Sequence, residues 1–79
     1  MLTQSAKWGS NSFPSIDIVV PVYNEEHRLP SHIGKLYSFL QQNMPSDFWQ
    51  IVIAENGSTD RTRSVAEQLT NQYPKIRIL

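Results

Sequence analysis

Two short β-branched runs constrain this chain more than anything else in it. Ile18-Val19-Val20-Pro21-Val22 stops abruptly in Tyr23-Asn24-Glu25-Glu26, and Ile51-Val52-Ile53-Ala54 stops in Glu55-Asn56-Gly57-Ser58-Thr59-Asp60. A short apolar run bounded by turn residues reads as a buried strand, and β-branched side chains favour the pleated conformation. The polar groups that close each run then sit at the carboxyl edge of a sheet. In open α/β sheets that edge is where ligands bind.

The segments around the two runs are helical in pattern. The first strand is expected to begin near Ile16, and Pro21, which cannot donate to a ladder, marks its end or an edge position. Tyr23 to Arg28 is polar and reads as a loop. Leu29, Ile33, Leu36, Tyr37 and Leu40 then form one stripe of a 3.6-residue period. Pro30 suits the first helical turn, and Pro45 in Asn43-Met44-Pro45-Ser46 stops the helix. The second strand covers Trp49 to Ala54. Gly57 permits a positive φ for a tight turn, Ser58 or Thr59 is expected to cap the next helix, and Asp60 suits that helix's positive end. Thr62, Val65, Ala66, Leu69 and Tyr73 make a second stripe. Pro74 ends it, and Ile76-Arg77-Ile78-Leu79 opens a third strand.

Strand, helix, strand, helix, strand predicts an α/β fold with a parallel sheet and right-handed crossovers. Two helices joining three consecutive strands cover one sheet face, whereas parallel sheets are normally covered on both. More chain, or self-association, is expected over the other face. On this basis residues 1–15 read as a flexible lead-in, with Trp8 or Phe13 able to dock on the domain. Residues 16–79 read as the amino-terminal part of a larger domain.

Composition narrows the function classes. With 79 residues the chain is shorter than a typical domain and can bury only a modest core. It has no cysteine, hence no disulfide framework and no thiolate metal site, which is compatible with a reducing compartment. Its formal net charge is zero, which argues against a nucleic-acid partner. No apolar run approaches the roughly 18 residues of a membrane span, and Met1 to Ser15 lacks the apolar region of a signal peptide. His27 and His32 do not have the spacing of two zinc ligands on one helix face, and they read as surface histidines. There is no dinucleotide fingerprint, phosphate-binding loop or nucleophile elbow.

The two polar loops carry what chemistry there is. Tyr23 could pack against a flat base and Glu25 could accept from a ring or ribose donor. The same residues also suit a solvated loop whose Tyr packs on a helix. Glu55 and Asn56 could read a nucleobase edge, since an amide offers both an acceptor and donors. The Gly-Ser-Thr turn exposes N–H groups that could meet an anion, although ordinary strand-to-helix turn chemistry uses the same residues. Arg61 and Arg63 read as solvated surface charges.

Taken together, Pro21-Val22-Tyr23-Asn24-Glu25 and Glu55-Asn56-Gly57-Ser58-Thr59-Asp60 resemble the family-two glycosyltransferases. Members typically show Pro-x-Tyr-Asn-Glu after the first strand and Asp-Asp-Gly-Ser-Thr-Asp after the second. The resemblance runs from about Ile16 to Leu79. Asn24 through Pro30 is similar to the branch that glycosylates dolichyl or polyprenyl phosphate. The resemblance implies the βαβαβ portion of a GT-A, Rossmann-like nucleotide-diphospho-sugar transferase domain, here incomplete.

The resemblance also implies roles. Pro21, Tyr23 and Glu25 would lie around the base of a nucleotide sugar, with Glu55 and Asn56 in the place of the usual acidic pair. Glu55 keeps a charge on a longer arm, while Asn56 trades its charge for an amide. An amide can pair with N3–H and O4 of uracil, whereas guanine's two adjacent donors prefer a carboxylate. This favours a UDP-hexose over GDP-mannose. The family's metal-binding Asp-x-Asp and its catalytic base would follow Leu79, so no catalytic or metal-binding residue is expected here, and Mg or Mn is expected only for the complete enzyme. That enzyme would transfer a hexose to an acceptor such as a membrane lipid phosphate, in the cytoplasm or at the cytoplasmic face of a membrane. The competing expectation is a non-catalytic α/β module that pairs with another chain.

Overall fold

The computed structural model describes residues 16–79; the lead-in expected over 1–15, with Trp8 and Phe13, lies outside the described residues. Strand β1 spans Ile16–Val22, helix α1 Leu29–Asn43, strand β2 Trp49–Glu55, helix α2 Thr62–Gln72 and strand β3 Ile76–Ile78. A single 3-10 turn, Ser46–Phe48, leads into β2. The strands form one parallel sheet in the order β1-β2-β3. Pro21 therefore lies near the end of an edge strand of this sheet, the place where its missing N–H does least harm.

Register decides which side chains meet. Ile18 lies opposite Ile51 and Ile51 opposite Ile76; Val20 lies opposite Ile53 and Ile53 opposite Ile78. These two rows, with Trp49 and Val22, pack against Leu29, Ile33, Tyr37 and Leu40 of α1 and Ala66 and Leu69 of α2. Ile51 and Ile53 are wholly buried. Burying an isoleucine side chain is worth about 1.5–3 kcal/mol. At the far end of the layer Tyr37 meets Trp49 edge-on, 5.2 Å between centroids at 81°, and Tyr73 at 4.5 Å. Edge-to-face contacts of this kind suit the ring quadrupoles.

Both helices thus cover the same face of the sheet. The opposite face carries the row Val19, Val52 and Arg77, with Asp17 and Gln50 beside it. Gln50 Nε2 donates to Asp17 Oδ1 at 2.6 Å, and Arg77 pairs with Asp17 at 3.7 Å. Val19 remains 54% exposed. Among the described residues no helix covers this side.

Two expectations change. Glu55 closes β2 rather than opening the loop after it. More consequentially, neither Ser58 nor Thr59 caps α2. The helix starts at Thr62, behind Arg61, which makes no side-chain cap bond. A capping oxygen reaches the N–H two or three residues on, and from Ser58 that falls short of Thr62. Asp60 serves the helix start instead: its Oδ1 accepts from the Thr62 N–H at 2.9 Å and from the Thr62 hydroxyl. Tyr73 stands just past the last turn of α2, at its C-cap.

Candidate functional site

The carboxyl ends of β1 and β2 stand side by side. Pro21 is opposite Ala54 and Val22 opposite Glu55, and the ladder runs one bond further, from the Asn56 N–H to the Val22 carbonyl at 3.0 Å. The loops that leave these strands, 23–28 and 56–61, are therefore neighbours. All five residues singled out in the sequence lie on this edge, Pro21, Tyr23 and Glu25 from the first strand end and Glu55 and Asn56 from the second. Pro21, Tyr23 and Asn56 are exposed, and Glu25 and Glu55 are half-buried.

The loops are also bonded to each other. Asn24 has a positive φ of 50°, the only such residue besides glycine among those described. Its side-chain Oδ1 accepts from the Thr59 N–H at 2.8 Å and, at 3.4 Å each, from the Thr59 hydroxyl and the Asp60 N–H. Its own N–H donates to Ser58 Oγ at 2.9 Å. The next two residues continue the seam. The Glu25 N–H donates to Thr62 Oγ1 at 2.6 Å, and the Glu26 N–H to Asp60 Oδ2 at 3.5 Å. In return the Arg61 N–H donates to Glu26 Oε1 at 3.2 Å. Thr62 is fully buried, yet its hydroxyl is satisfied in both senses, accepting from Glu25 and donating to Asp60.

Electrostatics follow from these bonds. Glu55 folds back over its own turn, with Oε2 accepting from the Ser58 N–H at 2.6 Å and Oε1 from the Gly57 N–H at 3.2 Å. Gly57 sits at φ +74°, a conformation that glycine adopts without strain. The Ser58 hydroxyl, then the Ser58 N–H, hold the Glu55 carboxyl below the ordinary carboxylate range; desolvation opposes them, and the Gly57 N–H and the charge of Arg63 add to the lowering. The Asp60 carboxyl is also held low, first by the Thr62 hydroxyl, against desolvation, with help from the N–H groups of Thr62 and Glu26. His32 Nδ1 stands 3.7 Å from Glu25 Oε1. The edge is thus a row of ordered acceptors beside an exposed aromatic ring and an exposed amide, suited to a flat polar ligand.

No group of three or more His, Cys, Asp or Glu side chains among the described residues could hold a metal ion. The Mg or Mn that the resemblance implies therefore finds no fitting donor set here. Likewise, none of the described helices is long and apolar enough to cross a membrane.

Sequence reasoning gave Asn24, Ser58 and Thr62 no part in joining the loops; it read Ser58 as a helix cap and Thr62 as one of the α2 stripe. Asn24 did carry a signal, because Asn is among the few non-glycine residues that visit the left-handed region routinely.

Comparison with known proteins gives the chain a family. The profile described as Glycosyl transferase family 2 matches residues 17–79. A dolichyl-phosphate beta-glucosyltransferase of Trichomonas vaginalis is 37% identical over 81% of this chain and 21% of its own length. Proteins of the same description from Drosophila melanogaster and Homo sapiens are 33% and 31% identical, over 86% and 95% of this chain and 25% and 27% of their own lengths. The chain thus spans about a quarter or less of the length of the curated relatives it matches. No solved structure matches it. These matches do not favour the non-catalytic module. With both strand-end motifs, the three strands and the two helices all inside the matched stretch, the chain belongs to glycosyl transferase family 2.

Proposed function

We propose that residues 16–79 form the donor-nucleotide edge of a glycosyltransferase, whose complete form transfers a hexose from a nucleotide sugar to a dolichyl or polyprenyl phosphate. What carries this reading is the bonding of two family motifs into one edge beyond the carboxyl ends of adjacent parallel strands. In it Tyr23 offers a ring to the base, Pro21 and Glu25 flank it, and Glu55 and Asn56 face its hydrogen-bonding edge. The relatives' description as dolichyl-phosphate beta-glucosyltransferases makes glucose the favoured sugar and a dolichyl phosphate the favoured acceptor. Asn56 favours uracil over guanine, because an amide matches a donor–acceptor edge while two adjacent donors prefer a carboxylate. Catalytic and metal-binding groups are assigned to residues outside 16–79, and the location to the cytoplasmic side of a membrane, in keeping with the absence of cysteine.

The test is a melting-temperature titration of the full-length protein with UDP-glucose and GDP-mannose, each with and without manganese. Ligands that bind the native state raise its melting temperature. UDP-glucose is expected to stabilise more than GDP-mannose. Tyr23→Ala is expected to weaken binding about tenfold, the scale of one lost base–aromatic stack, with little change in unliganded stability because Tyr23 is exposed. No stabilisation by either nucleotide sugar would sink the donor reading, and a stronger effect of GDP-mannose would overturn the uracil preference.

A further inference from the structure

We propose that Asn24 is the positioning residue of this edge: it locks the loop after β1 onto the loop after β2, so that Tyr23 and Glu25 are held in one fixed arrangement with Glu55 and Asn56. The proposal rests on the donor-binding reading for its purpose, though not for its geometry.

Three observations carry it. First, Asn24 lies between Tyr23 and Glu25 in sequence and bonds across to the segment that follows Glu55 and Asn56. Second, its bonding is two-way. Its Oδ1 takes the Thr59 N–H at 2.8 Å, with the Thr59 hydroxyl and Asp60 N–H at 3.4 Å, while its N–H reaches Ser58 Oγ at 2.9 Å. The Ser58 N–H in turn donates to Glu55 Oε2 at 2.6 Å, so one residue links Asn24 to the carboxylate at the end of the neighbouring strand. Third, the backbone of Asn24 is left-handed, at φ 50°. Glycine would accept that conformation at least as readily. A residue chosen for the turn alone could be glycine, whereas the bonds to Thr59 and Asp60 require the side-chain oxygen.

Asn24→Gly therefore separates the two roles, since it keeps the turn and deletes the acceptor. Asn24→Asp keeps an acceptor in the same place. In the full-length protein, Asn24→Gly is expected to raise the KM for the nucleotide sugar about tenfold with kcat within about twofold, the pattern of a disordered binding edge. Asn24→Asp should recover most of that loss. A purely structural defect would instead lower the active fraction, and so kcat, at unchanged KM. Amide hydrogen exchange supplies a readout that needs no nucleotide: protection at Thr59 and Asp60 should fall in Asn24→Gly and return in Asn24→Asp. Wild-type KM in Asn24→Gly, or unchanged protection at Thr59 and Asp60, would overturn the proposal. Failure of the wild-type protein to bind any nucleotide sugar would remove the donor reading alone, because exchange at the two amides still reports the lock.

Discussion

Thr62 anchors the buried end of the seam. It is wholly buried and holds the Glu25 N–H and the Asp60 carboxylate with one hydroxyl. Thr62→Val preserves shape and leaves the part-buried Glu25 N–H without its partner, which costs about 1 kcal/mol. Urea denaturation should show that loss as a lower midpoint at unchanged slope. The two low-lying carboxyls give the edge a pH dependence. Glu55 and Asp60 are both held below their ordinary values by hydrogen bonds to the charged form. Their stabilising contribution is complete above the ordinary carboxylate pKa, about 4, and is lost as pH falls through the lowered values. Amides of Gly57, Ser58 and Thr62 followed by NMR should therefore shift in acid, below about pH 4. Glu55→Gln should remove the step at Gly57 and Ser58 while leaving that at Thr62.

At the scale of elements, β2 is the centre of the core. It is paired on both sides, and Trp49, Ile51, Val52 and Ile53 are all buried. Ile51→Ala removes a wholly buried side chain between Ile18 and Ile76 and should cost about 2–5 kcal/mol in a denaturant melt. The strands and helices were legible in the sequence because their signal is local. The stripe Leu29, Ile33, Tyr37 and Leu40 is buried as its period implies, and Pro45 follows the end of α1. The starting point of α2 was not legible. Ser58 and Thr59 have the chemistry of caps, and only the neighbouring loop, brought in by strand pairing, gives them another use. Asn24 and Thr59 stand 35 residues apart in sequence, so no local pattern could expose their bond. The candidate site was legible as a place and as a set of residue types, while the bonds that order it were not.

For the whole molecule, the asymmetry of the sheet is the dominant fact. One face is packed by two helices, and the other carries no helix among the described residues: Val19 is 54% exposed there beside a buried Val52, with a polar border of Asp17, Gln50 and Arg77. Parallel sheets are normally covered on both faces. The 79-residue chain on its own should therefore self-associate or bind a hydrophobic dye, as sedimentation and ANS fluorescence would report. A monomer with a sharp two-state melt and no dye binding would contradict this. Val19→Lys, at an exposed position on an edge strand of the described sheet, should reduce association without harming the helix-covered core.

The seam between the loops has a further consequence for the order in which the chain folds. Its bonds join residues 34 to 37 positions apart, and each closes only once β1 and β2 lie side by side. Contacts of such long sequence separation carry the entropy of the whole intervening loop, whereas the turns of α1 need only near neighbours. The seam is then expected to close late in folding, after β1 and β2 have paired, and to open early in unfolding. Changes at Asn24 should speed unfolding and leave the folding rate nearly untouched, while changes at Ile51 should act on both.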